Sequence, residues 1–315
     1  MAYMTNQFWW EVKGDPHKEI TSFVGALDDE QTHRTEDNLN SLRLFGNNET
    51  AGLSLSEYSR RNIRHDGNPS LNIVHSMCTT VTSRITKSRP RATFLTSGGN
   101  WTEKRKAKLL DKFVAGQFYE TGIYNVASRV FLDATVFGTG VMKIYEQGGR
   151  VKIDRVFPNE VIVDDAEALY GEPRQLFQRK FISRQVMVAN YPSRKKEILT
   201  ASTSESDYDR AKTSAQEQLE VIEAWHLPSG PDAGDGRHII CIDNATLLDE
   251  PYEKDYFPYV FLKWTDRLLG FWGQGLAEQL SGIQAEINSL LSQIQKQMIL
   301  ATPKVFIEAG SKISK

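Results

Sequence analysis

The sequence predicts an α+β fold with a helical first half, a middle of short antiparallel strands and one long helix toward the C-terminal end. Three observations predict it. Apolar residues recur at three- and four-residue steps as far as Phe137, the period drops to two after Gly138-Thr139-Gly140, and a near-heptad seam runs from Gly275 to about Leu300. With 315 residues there is room for about two domains, and 40% hydrophobic with 25% charged residues suits a packed core. Collagen-like and wholly disordered classes are excluded on composition. No apolar run approaches the ~18 residues of a bilayer-spanning helix, so no membrane partner is expected. The aromatic stretch Met1–Trp10 lacks the features of a signal peptide. Cys78 and Cys241 are too few and too far apart for a disulfide framework or zinc ribbon, so a reducing, intracellular site of synthesis is expected.

Each element follows from its local pattern. From Glu19 to about Phe45, Ile20, Phe23, Val24 and Leu27, then Leu39, Leu42 and Phe45, keep helical spacing until Gly46-Asn47-Asn48. After Asn68-Pro69-Ser70, the positions Leu71, Val74, Cys78, Val81 and Ile85 step by 3, 4, 3 and 4, which puts Cys78 in the core. That helix leaves through Lys87-Ser88-Arg89-Pro90-Arg91, because proline disfavours helical geometry in the residue before it. Asn100 with Glu103 starts another helix, whose core face is Leu109, Leu110, Phe113, Val114 and Phe118. Ile123 to Phe137 repeats the rule with Ile123, Val126, Val130, Ala134 and Phe137.

The strand region opens with Val141–Glu146 and Val151–Phe157, a hairpin joined through Gly148-Gly149. Val161-Ile162-Val163 follows Pro158-Asn159 as a buried strand, and Leu176–Ile182 adds another. Ser193 to Gln216 is crowded with Ser and Thr and reads as a poorly packed excursion. Leu219–Leu227 is apolar on both faces; His238–Ile242 and Tyr259–Trp264 complete the region.

The long helix carries Leu276, Leu280, Ile283, Ile287, Leu290, Ile294 and Met298 as its seam. At 1.5 Å per residue it is roughly 37 Å long. Its other face holds Gln279, Gln284, Asn288, Ser289, Ser292, Gln293, Gln295 and Gln297, with only Glu278, Glu286 and Lys296 ionised. Solvent-facing helices more often carry charge pairs. An uncharged polar face suits a neighbouring copy or the lining of a passage. Pro303 ends the helix, and Lys304–Ile307 begins a new strand.

Chemistry-bearing motifs are sparse. There is no G-x-x-x-x-G-K-[ST] loop, G-x-S-x-G elbow or H-E-x-x-H pair, and Gly270–Gly275 reads as a turn into the long helix. Asp164-Asp165 could hold a hard cation, although a solvated strand end is commoner without a third carboxylate in register. His226 could act as a base if partnered, although a structural role is commoner for such a histidine. Together these three define a rival reading, a metal-dependent hydrolase. The preferred reading has no catalytic residue, metal or cofactor.

Charge is the bulk quantity that segregates. The whole chain has a formal charge of −2, yet Ser56–Leu110 holds eleven cations, Arg60, Arg61, Arg64, Arg84, Lys87, Arg89, Arg91, Lys104, Arg105, Lys106 and Lys108, against Glu57, Asp66 and Glu103. Such a patch can hold phosphates without reading sequence. It equally suits a solvated rim or acidic groups of a neighbouring subunit. Aromatic interleaving is thin, with Phe94 and Trp101 the main instances, too few for a single-strand stacking platform.

In their order these motifs resemble the portal proteins of tailed bacteriophages, the head-to-tail connectors at one capsid vertex. The residues that carry the resemblance are Leu71-Asn72-Ile73-Val74 through Lys87-Ser88-Arg89-Pro90-Arg91, Phe137-Gly138-Thr139-Gly140-Val141-Met142-Lys143, and Arg155-Val156-Phe157-Pro158. Asp164-Asp165 and Tyr170-Gly171-Glu172-Pro173-Arg174 follow, then Phe257-Pro258-Tyr259, Gly273-Gln274-Gly275-Leu276 and Ile283-Gln284-Ala285-Glu286-Ile287-Asn288. The resemblance implies a wing domain over residues 1–265, a stem helix within 266–302, and the start of a clip domain at 303–315. It also implies a homo-oligomeric ring, twelve-fold in the virion, through which double-stranded DNA is packaged and ejected. Terminase, major capsid and scaffold proteins and head-completion adaptors are its implied partners, with assembly in the host cytoplasm. The returning stem helix, channel loop and crown of the family would lie beyond Lys315, so a truncated chain is expected. Another head-tail connector or minor capsid protein shares these partners. On this reading Leu276, Leu280, Ile283, Ile287, Leu290 and Ile294 pack the stem or subunit interface. Gln279, Gln284, Asn288, Gln293 and Gln297 face the channel or a neighbour, and Arg84, Lys87, Arg89, Arg91, Lys104, Arg105, Lys106 and Lys108 contact nucleic acid or an acidic partner.

Overall fold

The computed structural model describes residues 8–46, 71–171, 173–203, 217–230 and 232–301. It is an α+β arrangement of helices around two antiparallel sheets. Helices α1 (Pro16–Glu30) and α2 (Thr32–Gly46) replace the single helix expected from Glu19 to Phe45. The break falls at Gln31, whose buried side-chain amide donates to the Val163 carbonyl while its oxygen accepts from Arg34 at 2.8 Å. A continuous helix would turn that side chain away. Helices α3 (Ile73–Thr86), α4 (Trp101–Glu120) and α5 (Ile123–Phe137) follow the expected pattern closely. Asn72 and Asn100 cap α3 and α4 by accepting from the His75 and Glu103 amides.

The first sheet pairs β1 (Thr139–Gln147) with β2 (Arg150–Val156) on one side and β8 (Tyr259–Lys263) on the other. Gly148 and Gly149, both at positive φ, make the hairpin turn. The second sheet runs β3 (Val161–Ile162), β4 (Gln175–Ser183), β5 (Gln218–His226), β6 (Arg237–Ile242) and β7 (Ala245–Pro251). The β7 strand had no clear sequence signal, because Leu247-Leu248-Asp249-Glu250 does not alternate. Short helices α6 (Arg184–Asn190) and α7 (Lys195–Thr200) were also missed. Helix α7 corrects the reading of Ser193–Gln216 as poorly packed, since Ile198 is fully buried; the remainder, 204–216, lies outside the described residues.

Period two sorts the second sheet. Ile222 and Ala224 of β5 pack with Phe177 against Ile20 and Val24 of α1, Leu219 and Val221 pack with Met187 and Ile198, and Trp225 joins Val141 and Tyr259 of the first sheet. Both faces of β5 are covered, so its apolar residues occupy consecutive positions. A further cluster joins α3, α5 and the long helix α8 (Leu276–Leu300) through Val74, Cys78, Val136 and Ala277.

Helix α8 is launched from a crossing of two Gly-x-Gly segments, Gly138-Thr139-Gly140 and Gly273-Gln274-Gly275. The Trp264 amide donates to the Gly138 carbonyl at 2.9 Å, and the Gly273 amide donates to Thr139 Oγ1 at 2.8 Å. A Cβ on Gly138 would fall on the Gly273 carbonyl, one on Gly140 on the Val130 carbonyl, and one on Gly275 2.7 Å from the Val136 carbonyl. Only backbone fits there.

Two substitutions test the crossing. Gly140→Ala is expected to destabilise by about 1–3 kcal/mol through overpacking. Gly25→Ala, inside α1 with nothing within 4 Å of the new methyl, is expected to stabilise by about 0.5–1 kcal/mol. Urea midpoints of the two variants check the contrast, and a wild-type midpoint for Gly140→Ala would refute the close approach.

Candidate assembly and nucleic-acid interface

The eight described cations of the basic segment lie on one continuous stretch. Arg84 ends α3, Lys87, Arg89 and Arg91 lie on the exit that follows it, and Lys104, Arg105, Lys106 and Lys108 occupy the first turns of α4. All eight are exposed, and none forms an ion pair among the described residues. Arg89 lies 5.6 Å from the Tyr124 ring centroid and Arg105 5.4 Å from that of Trp101. Cations near the N-terminal end of a helix oppose its dipole, so α4 breaks a local stability rule that an anionic partner would restore. Arg60, Arg61 and Arg64 lie outside the described residues.

Helix α4 differs from expectation in its packing. None of its 20 residues is buried. The anticipated core positions Leu109, Leu110 and Phe113 are 57%, 47% and 61% exposed. Only a narrow stripe through Ala107, Val114 and Phe118 is partly covered, with Phe118 edge-on to Tyr124. The amphipathic pattern is real, but Leu109, Leu110 and Phe113 of its apolar face stay largely uncovered among the described residues.

Helix α8 divides its seam. Leu276 and Leu280 pack into the cluster around Val74, Cys78 and Val136, and Ile287 is half-buried. Ile283, Leu290 and Ile294, by contrast, are 55%, 48% and 49% exposed. The polar face divides as well. Gln279, Gln293 and Gln297 face outward and Asn288 is half-buried, but Gln284 is buried inside the subunit, so it faces neither a channel nor a neighbour. Gln284 accepts from the Ile73 amide at 2.8 Å and donates to the Leu71 carbonyl and to Asn288 Oδ1. Asn288 accepts from the Leu71 amide at 3.1 Å. The first turn of α3 is thus capped by side chains more than 200 residues away, satisfying amides that a helix start leaves free. Residues 303–315, expected to begin a further domain, lie outside the described residues.

Two of the three groups of the hydrolase reading, Asp164 and His226, are engaged in other contacts. Asp164 accepts from the Ala166 and Glu167 amides at 2.9 and 3.2 Å and so caps a turn. His226 is buried, stacks on Trp10 at 4.1 Å and meets the Asp235 carbonyl at 3.1 Å; burial pulls its imidazole below the ordinary range. Asp165 is exposed beyond the strand end. Among the described residues no three His, Cys, Asp or Glu side chains are arranged to hold a metal ion, and no helix is long and apolar enough to cross a membrane.

Two features escaped sequence reasoning. One is an ion network between the sheets: Lys143 of β1 pairs with Glu223 of β5, His238 lies 3.0 Å from Glu223 and 2.7 Å from Glu250, and its ring stacks on Trp225 at 3.6 Å. Burial pushes the Glu223 carboxyl up, but His238 and Lys143 outweigh it and hold it at about 2. The other is an open cleft of about 1300 Å³ between loops 227–236 and 251–258. Tyr252, Tyr259, Phe261 and Phe271 line it, and Asp232, Glu253 and Asp255 stand at its edge. The run Tyr252-Glu253-Lys254-Asp255-Tyr256-Phe257 was the available signal.

No protein-family model matches the chain, and no curated protein matches it.

Gln284→Ala strands the α3 amides and is expected to cost about 1–3 kcal/mol in thermal or urea unfolding, whereas Leu290→Asp on the exposed seam should leave the unfolding of the dissociated subunit within ~0.5 kcal/mol of wild type. The Glu223 carboxyl, lowered from 4.5 to about 2, contributes stability that is fully present above pH 4.5 and is lost as pH falls from there through about 2. Glu223→Gln should therefore be destabilised by roughly 3 kcal/mol at pH 7, with the gap to wild type narrowing between pH 4.5 and 2. A gap that stays constant over that range would refute the ion network.

Proposed function

We propose that the chain is a subunit of a portal ring, the connector at a phage capsid vertex through which double-stranded DNA is packaged and ejected. The observation that carries this reading is the uncovered apolar face of α4, a 20-residue helix with no buried side chain. A helix of that length is marginal in water without tertiary packing, and a second copy can supply it. The exposed half of the α8 seam, Ile283, Leu290 and Ile294, is a second surface of the same kind on a different element. Two unlike surfaces suit a head-to-tail contact, which gives a ring when the rotation closes. Lys104, Arg105, Lys106 and Lys108, which form no ion pair among the described residues, support a phosphate contact that reads no sequence. The outward Gln279, Gln293 and Gln297 support a wall past which DNA slides, because each phosphate neutralised by Lys or Arg would tighten binding. Terminase, capsid and scaffold proteins and head-completion adaptors are the partners of such a ring, and the virion is its destination.

Light-scattering mass and negative-stain images of the full chain test the assembly. Closed rings with a central hole are expected, and a monomer at every concentration, with and without DNA, would refute the reading. Binding of the rings to duplex DNA should weaken with salt. Replacing both Lys104 and Lys108 by Ala should lower the slope of log affinity against log salt by up to about 2; an unchanged slope places the phosphates elsewhere.

A further inference from the structure

The aromatic cleft and the basic exit of α3 are complementary, and we infer that the segment 87–95 of one copy docks in the cleft of the next. The inference rests on the ring reading for the presence of the second copy; the fit itself does not depend on it. Residues 87–95 form neither helix nor strand and all are exposed, with Leu95 90% accessible. They are nonetheless held in place. Tyr124 donates its hydroxyl to the Pro90 carbonyl at 2.8 Å, and the Phe94 amide donates to Asp111 at 2.8 Å. Pro90 favours extended geometry at Arg89. The result is a tethered strip with Arg89 and Arg91 at one end and Phe94 and Leu95 at the other, following Lys87, which still has helical geometry as the cap of α3, so docking costs little ordering entropy.

The cleft offers the reverse polarity. Its floor is aromatic, with Tyr259 and Phe271 buried at its base. Of the two cations beside it, Arg174 is turned onto the Pro228 carbonyl at 3.0 Å and Lys254 lies 5.8 Å from the Tyr256 ring centroid. Asp232, Glu253 and Asp255, in contrast, form no ion pair among the described residues. Unengaged carboxylates above tyrosine faces recognise a cationic, partly apolar chain through charge and cation–π attraction. Proline-containing extended segments commonly dock in aromatic-lined grooves. Docked as an extended strip, the segment places Arg91 and Leu95 on one side: Arg91 meets the carboxylate rim while Leu95 enters the aromatic floor. Segment and cleft are different patches, as a head-to-tail contact requires.

Charge exchange tests the pairing. Arg91→Glu and Asp255→Arg, each confirmed as folded by its thermal melt, should raise the concentration needed for assembly at least tenfold. The chain carrying both changes should return to within about threefold of wild type. Single variants that assemble normally, or a double variant that does not recover, would overturn the inference. A synthetic peptide of residues 86–97, titrated at low concentration into the full chain as a monomer, separates this from the ring reading. Saturable binding that weakens at least tenfold with Asp255→Arg and again in 0.5 M salt upholds the pairing even if the chain forms no ring. Absence of saturable binding overturns it even if rings form.

Discussion

The crossing of Gly138-Thr139-Gly140 with Gly273-Gln274-Gly275 is the constraint on which the rest of the architecture depends. It brings the end of α5, the start of β1 and the start of α8 within backbone contact. No side chain can be inserted there, so the direction in which α8 leaves the body is fixed by carbonyl and amide positions rather than by adjustable rotamers. The hydrophobic cluster of α3, α5 and α8 then closes over a geometry already set.

The sheets answer to a second constraint, charge. Lys143, Glu223 and His238 come from both sheets and lie in a largely apolar layer. Buried ion pairs of this sort are better at specifying one arrangement than at adding net stability. Here they join the two sheets, while Val141, Trp225 and Tyr259 supply the apolar area.

Much of this was legible in the sequence because period and punctuation are local properties. The spacing of α5, the Gly148-Gly149 hairpin and the Asn100 cap are all written within a few residues of where they act. Periodicity says which residues share a face, but not whether that face finds a partner, so Leu109 and Phe113 belonged to a genuine stripe that the described chain leaves open. Gln284 shows the complementary limit. Its environment is set by the start of α3, some 210 residues earlier, and polarity alone placed it outside. The cleft depends on two loops meeting in space, which no single segment encodes.

The Gln284 and Asn288 caps give α8 a mechanical role. Three hydrogen bonds tie two successive turns of α8 to residues 71 and 73, and the rigid rod of α3 runs from there to the basic exit. The start of α3 and the middle of α8 are thereby fixed to each other through side-chain to backbone hydrogen bonds. The placement of the exposed basic strip relative to α8 is therefore set by two amide side chains, Gln284 and Asn288, at the far end of α3.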